Sequence, residues 1–152
     1  MLFRCAILVA CSCWGVHVHA AEQPNILFIL TDDQGWWDLG MRGNTDIDTP
    51  VIDQLSRDGV DLTRFYAAPV CAPTRAGLMT GRYCFRTGLY NTRFGGDTLG
   101  SGETTIAEVL KPLGYASAMI GKWDLARHAN RNYFEDLLPR GQGFDMHFGT
   151  PS

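Results

Sequence analysis

Asn25-Ile-Leu-Phe-Ile-Leu30 runs directly into Thr31-Asp32-Asp33-Gln34-Gly35. The apolar run is of strand length and shows no alternation. That pattern predicts a strand buried on both faces, as at the centre of a parallel sheet. Two carboxylates then stand at its C-terminal edge, where open α/β sheets bind ligands.

The rest of the chain extends that reading. Asp48 to Asp58 predicts a helix: Asp48 or Thr49 can cap it, Pro50 suits its first turn, Val51, Ile52 and Leu55 form one apolar face, and Gly59 ends it. Val60 to Tyr66 alternates as a strand. Pro73 to Thr80 predicts a short helix stopped by Gly81, and Thr104 to Leu113 another, stopped by Gly114. Tyr115 to Ile120 predicts a second strand leading into Gly121-Lys122, and residues 95–102 are a glycine-rich turn region. Strands alternating with helices imply a doubly wound, mainly parallel α/β sheet with helices on both faces.

The 152 residues fit one domain, with 45% hydrophobic and 19% charged residues, which are globular proportions. A formal net charge of −3 argues against nucleic acid as a partner, because phosphate binding needs a basic surface. Residues 1–20 are read as a signal peptide: a short cationic start at Arg4, an apolar run from Cys5 to Val18, and small residues at Val18 and Ala20. That run is too short and interrupted for a transmembrane segment. The expected location is therefore secreted, periplasmic or lumenal, with residues 21–152 as the mature chain. Leu8-Val9-Ala10-Cys11 keeps a lipoprotein anchor open, and a buried N-terminal strand is the plain alternative. Removal of residues 1–20 leaves 12 Lys and Arg against 16 Asp and Glu, a formal net charge of −4, and only Cys71 and Cys84. By default, two cysteines in an exported chain form a disulfide.

The chemistry concentrates in two places. Asp32-Asp33 can converge on a hard divalent cation such as calcium or magnesium, although an Asp-Asp turn is also ordinary loop chemistry. Cys71-Ala72-Pro73-Thr74-Arg75 lies at a helix mouth, where free N–H groups favour anions. Arg75, one turn in, offers a fork-shaped guanidinium for sulfate or phosphate oxygens. These residues alone suggest a cysteine nucleophile for an oxyanion ester, with a structural cysteine as the other reading.

The segment Cys71-Ala-Pro-Thr-Arg75, continuing Ala-Gly-Leu-Met-Thr-Gly-Arg82, closely resembles the sulfatase signature, Cys-x-Pro-x-Arg leading to Leu-x-Thr-Gly-Arg. Pro24 through Gly40, Asp48 through Leu55, Thr104 through Leu110, Gly114-Tyr115, Gly121-Lys-Trp123 and Pro139 through Gly149 resemble further blocks of the family, in its order. The resemblance covers nearly all of residues 23–152, is nearest to the arylsulfatase branch, and implies the alkaline-phosphatase-like fold, incomplete in this chain.

It also implies roles. Cys71 would be oxidised by a formylglycine-generating enzyme to an aldehyde whose hydrate attacks the sulfur of a sulfate ester and then helps expel sulfate. Asp32, Asp33 and residue 71 would hold calcium, with magnesium as the alternative. Arg75 would stabilise the modified side chain, and Lys122 would bind a sulfate oxygen; the plain alternative for Lys122 is a solvated turn lysine. Asp124 departs from the family, which usually carries histidine after Gly-Lys-Trp; a carboxylate can accept the same proton but repels sulfate. His128 is a candidate substitute or a surface histidine. The family's second metal pair, an Asp-Asn, is not found before Ser152, so the chain reads as a fragment expected to have little activity alone. A phosphate or phosphonate ester hydrolase of the same superfamily, or a non-catalytic sulfatase-like domain, are the other readings.

Overall fold

The computed structural model describes residues 23–92, 98–126 and 134–151. The expected signal peptide and His128 lie outside these residues. The backbone divides into two compact units, Met1–Leu30 and Thr31–Ser152.

In the first unit, residues 23–30 form no strand. Ile26 to Leu30 leave between 41% and 84% of their surface exposed, so the expected central strand is not present. A strand buried on both faces needs ladder partners on its edges and cover above and below. The described residues of this unit supply neither.

The second unit contains four α-helices and two strands among the described residues. Helix α1, Pro50–Asp58, begins directly after Thr49, one of the two expected cap positions. The Thr49 side chain does not cap it: the hydroxyl donates to Asp53 Oδ1 at 2.9 Å and accepts from the Gly40 N–H at 2.8 Å. The Met41 N–H donates to the same Asp53 oxygen, tying the helix start to the turns at residues 36–43. The α1 face formed by Val51, Ile52 and Leu55 is exposed. Residues 60–66 form coil and a turn instead of the expected strand, because alternation alone supplies no neighbour to pair with.

Helix α2, Cys71–Thr80, ends at Gly81, whose φ of +65° is the left-handed stop that glycine tolerates. A four-residue helix α3, Cys84–Thr87, follows. Helix α4, Ile106–Leu110, opens on a capping box: Thr105 accepts from the Glu108 N–H, and Glu108 accepts from the Thr105 N–H. A 3₁₀ turn at Lys111–Leu113 carries the helix on to Gly114.

Strand β1, Ala118–Lys122, runs two residues beyond the expected Ile120 because it pairs in parallel with β2, Met146–Thr150. Strand β2 was not anticipated as a strand. A Cβ on Gly149 would collide with the Gly121 carbonyl oxygen, so the close approach of the two strands requires glycine there. The parallel pairing extends past the sheet, with the Trp123 N–H on the Thr150 carbonyl at 2.9 Å and the Asp124 N–H on that of Pro151 at 3.1 Å.

The core lies between α2, α4 and the segment after β1. Ala72, Ala76, Leu89, Leu99, Ala107, Trp123, Leu125, Ala126 and Phe144 form one buried cluster. Trp123 is its largest member, packed edge-to-face on Phe144 with its indole N–H donating to the Leu137 carbonyl. Thr105, fully buried, donates to the Gln142 carbonyl at 2.7 Å. This packing holds the mouth of α2 and the end of β1 in place.

Candidate active site

Cys71 is the first residue of α2, and Val70 before it is extended. Pro73 occupies the third helical position, where it has no N–H to leave unsatisfied, so the outward-facing donors of the first turn are those of Cys71 and Ala72. Such donors, with the helix dipole behind them, favour an anion.

Lys122, at the end of β1, reaches this point from 90 residues beyond Asp32. Its ammonium donates to Asp32 Oδ2 at 2.8 Å and stands 3.4 Å from Asp124 Oδ2. The hydrogen bond to Asp32 is the largest cause holding its proton above the ordinary lysine value; burial opposes it, and contact with the Cys71 thiol and the charge of Asp124 add to it. The reciprocal hydrogen bond and the charges of Lys122 and Arg75 hold the Asp32 carboxyl below its ordinary value. Cys71, Lys122, Asp32 and Asp124 thus form one cluster at the helix mouth.

Arg75 lies one turn into α2. It is 7% exposed, and its Nη1 donates to the Lys122 carbonyl at 2.5 Å while Nη2 lies 3.7 Å from Asp32. Its guanidinium therefore anchors the backbone of the residue whose ammonium faces the site. Its Nε has no hydrogen-bond partner among the described residues.

Asp33 turns through the left-handed region at φ +55° and is exposed. Among the described residues no three His, Cys, Asp or Glu side chains come together as a metal site. The expected trio of Asp32, Asp33 and Cys71 is not gathered around one point, and a lysine ammonium holds Asp32 Oδ2. By themselves these residues do not fit calcium, which takes about six to eight oxygen ligands. Cys71 and Cys84 are both free thiols, so the default disulfide between them is not present.

Residues 24–152 match the sequence profile of the Sulfatase family. The chain belongs to the sulfatase family. This sulfatase sequence is 40% identical to human arylsulfatase D over 99% of its own length and 26% of the relative's. It is 43% identical to mouse arylsulfatase G, over 86% of this chain and 24% of that protein. It is 40% identical to pig N-acetylgalactosamine-6-sulfatase, over 98% and 30% respectively. The chain therefore spans about a quarter to a third of the length of these relatives. Among solved structures, Ps i-CgsB in complex with k-i-k-neocarrahexaose superposes with a TM-score of 0.66 at 33% identity, over 78% of this chain and 26% of that one. A protein described with the metabolism of multiple glycosaminoglycans by Bacteroides thetaiotaomicron gives 0.70 at 33% identity, over 87% and 29%. These neighbours bear out the α/β fold class, of which the short parallel sheet is a part.

Sequence reasoning left two supporting residues unread. Trp123 belongs to the Gly-Lys-Trp block, and its burial is what fixes the backbone on either side of it. Gln142, 1% exposed, gives its carbonyl to Thr105 and so ties the Gln142–Phe144 segment to α4. The second has no local signal, since its partner is 37 residues away.

Proposed function

We propose that this chain carries the nucleophile and sulfate-binding part of a sulfuric ester hydrolase of the arylsulfatase type. The observation that carries the reading is the cluster at the mouth of α2: a free cysteine at a helix N-terminus, with a lysine ammonium against it. In this reading a formylglycine-generating enzyme converts Cys71, and the protein is exported by its first twenty residues. As formylglycine, residue 71 supplies a hydrated aldehyde with a hydroxyl suited to attack on sulfur.

The chain's own residues do the rest. The first-turn N–H groups of α2 and the Lys122 ammonium hold the anionic oxygens of the ester and stabilise charge that grows on them. Asp32 orients that ammonium through its 2.8 Å hydrogen bond. Arg75 acts as a positioning residue by fixing the Lys122 backbone. Asp124, whose Oδ2 lies 3.4 Å from the Lys122 ammonium and accepts no hydrogen bond among the described residues, is the proton acceptor available in the cluster. Calcium, or magnesium, belongs to the same reading. Asp32 and Asp33 would offer it two carboxylates, and the remaining oxygens would come from outside the described residues.

Peptide mass spectrometry after co-expression with the converting enzyme tests the proposal. The tryptic peptide containing residue 71 is expected to carry an aldehyde, to react with a hydrazide probe and to show no link to Cys84. Cys71→Ala should remove both the aldehyde and any aryl sulfate turnover by the natural protein. An intact thiol under those conditions, or a Cys71–Cys84 disulfide, would overturn the reading.

A further inference from the structure

Lys122 carries the movable cation of the cluster. Its backbone is fixed, because its carbonyl accepts from Arg75 Nη1 and the Trp123 N–H after it is bonded to Thr150. From that fixed point its flexible four-carbon stem can swing the ammonium. Arg75, 7% exposed and engaged with the Lys122 carbonyl, has no such freedom. The ammonium has two seats within reach. It donates to Asp32 Oδ2 at 2.8 Å, and Asp124 Oδ2 lies 3.4 Å away. This second oxygen is buried and accepts no hydrogen bond among the described residues, a costly state for a carboxylate unless a donor comes to it. Asp124 cannot easily withdraw. It is 9% exposed, its φ of +58° is left-handed, and its N–H is bonded to the Pro151 carbonyl. A movement of about half an ångström would bring the ammonium to hydrogen-bond distance from it.

At Asp32 two cations compete. As a ligand of a divalent cation, its carboxylate would stand about 2.3–2.6 Å from the ion. Its Oδ2 already holds the Lys122 ammonium and lies 3.7 Å from Arg75 Nη2. A dication and an ammonium on one carboxylate repel each other with twice the energy of two single charges at the same separation. Asp33, the next residue, is exposed and meets no ammonium among the described residues. The obstacle to a cation at this turn is therefore Lys122, and the empty acceptor on Asp124 is where Lys122 can go.

We propose that Lys122 and a divalent cation exchange at Asp32, with Asp124 as the second seat of the ammonium. In the metal-free chain Lys122 closes on Asp32. With a cation held by Asp32 and Asp33, Lys122 donates to Asp124 Oδ2 instead. Asp124 then takes over from Asp32 the orientation of the ammonium, which stays at the mouth of α2 in both states. The inference rests on the reading of Asp32 as a cation ligand. It adds what makes way for the cation, and a reason for a carboxylate after Gly121-Lys122-Trp123.

Calorimetric titration of calcium into the 152-residue chain and three variants tests it: Lys122→Met, the isosteric Asp124→Asn, and the two combined. Lys122→Met should bind calcium about tenfold tighter than the unaltered chain, because the competitor is gone. Asp124→Asn should weaken calcium about tenfold, because the ammonium loses its second seat. Asparagine tolerates the left-handed backbone, so that variant keeps the turn. The decisive comparison is the double variant, in which Asp124→Asn should change the affinity of Lys122→Met by less than about twofold. An equal weakening with and without Lys122 would mean that Asp124 acts on the ion directly. That result would overturn the exchange and leave the calcium reading standing, as would equal affinity in the unaltered chain and Lys122→Met. Absence of calcium binding in all four chains would overturn both. Should circular dichroism show Lys122→Met unfolded, the uncharged Lys122→Gln takes its place with the same expectations.

Discussion

Residues 50–66 and residues 122–126 both carry large apolar side chains, and their environments are opposite. Val51, Leu55, Val60, Phe65 and Tyr66 each leave at least 66% of their surface exposed, whereas Trp123, Leu125 and Ala126 leave 1% or less. Apolar pattern is therefore not what separates them. The second segment has partners: α2 on one side, a bridge from Leu99 to the Leu125 carbonyl, and Phe144 against Trp123. Lys122 and Asp124 lie in this covered region, and Cys71 and Arg75 lie on the helix packed beside it. Side chains whose geometry matters for chemistry are set where packing leaves one arrangement.

The largest effect should come from the covered region. Trp123→Ala removes a fully buried indole, its edge-to-face contact and its hydrogen bond to Leu137. The expected loss is about 3–5 kcal/mol of unfolding free energy, measured by urea denaturation. A loss below about 1 kcal/mol would mean that the two regions differ less in packing than their exposures suggest.

A smaller effect is expected at the cluster itself, and it has a pH signature. The Asp32 carboxyl is held below its ordinary value of 3.8, first by the hydrogen bond from Lys122. The unfolded chain then binds that proton more readily than the folded one. The stabilisation is present above pH 3.8 and is lost as pH falls through the lower, folded value. Lys122 runs the other way: its raised value contributes stability below pH 10.5 that is lost only in more alkaline solution. Lys122→Met should flatten the acid limb of a stability–pH curve below about pH 4. An unchanged acid limb would show that the ion pair is not linked to folding.

The smallest effect belongs to the exposed segment. Tyr66→Ser, at a residue 85% exposed, should change the thermal unfolding free energy of this chain by no more than about 0.5 kcal/mol. A large loss would show that residues 60–66 are covered in solution, and would dissolve the contrast from its other side.

Parts of the molecule were legible because their causes lie within a few residues. Helix α2 ends at Gly81 and the 3₁₀ turn that follows α4 ends at Gly114, each with the left-handed φ that stops a helix. The Thr105–Glu108 pair opens α4 by hydrogen bonds spanning three residues. Cys71 at a helix mouth, and its neighbours in the signature, could be named from the same short stretch. The elements misread were those whose existence depends on a distant partner: the runs 25–30 and 60–66 have strand composition, while β2, without a clear pattern, is a strand because β1 lies beside it.

The sequence by itself determined the family, the glycine stops at Gly81 and Gly114 and the identity of the polar residues at the site. Only the tertiary structure decided what those residues do to one another. It set Lys122 between Asp32 and Asp124, brought Arg75 onto the Lys122 carbonyl 47 residues on, and buried Asp124 with its Oδ2 near the Lys122 ammonium but without a hydrogen bond. The physical reason is one of range. Capping and left-handed turns follow from local sterics and short hydrogen bonds, whereas an ion pair closed over 90 residues exists only where the packing of other side chains meets the entropy of closing that loop.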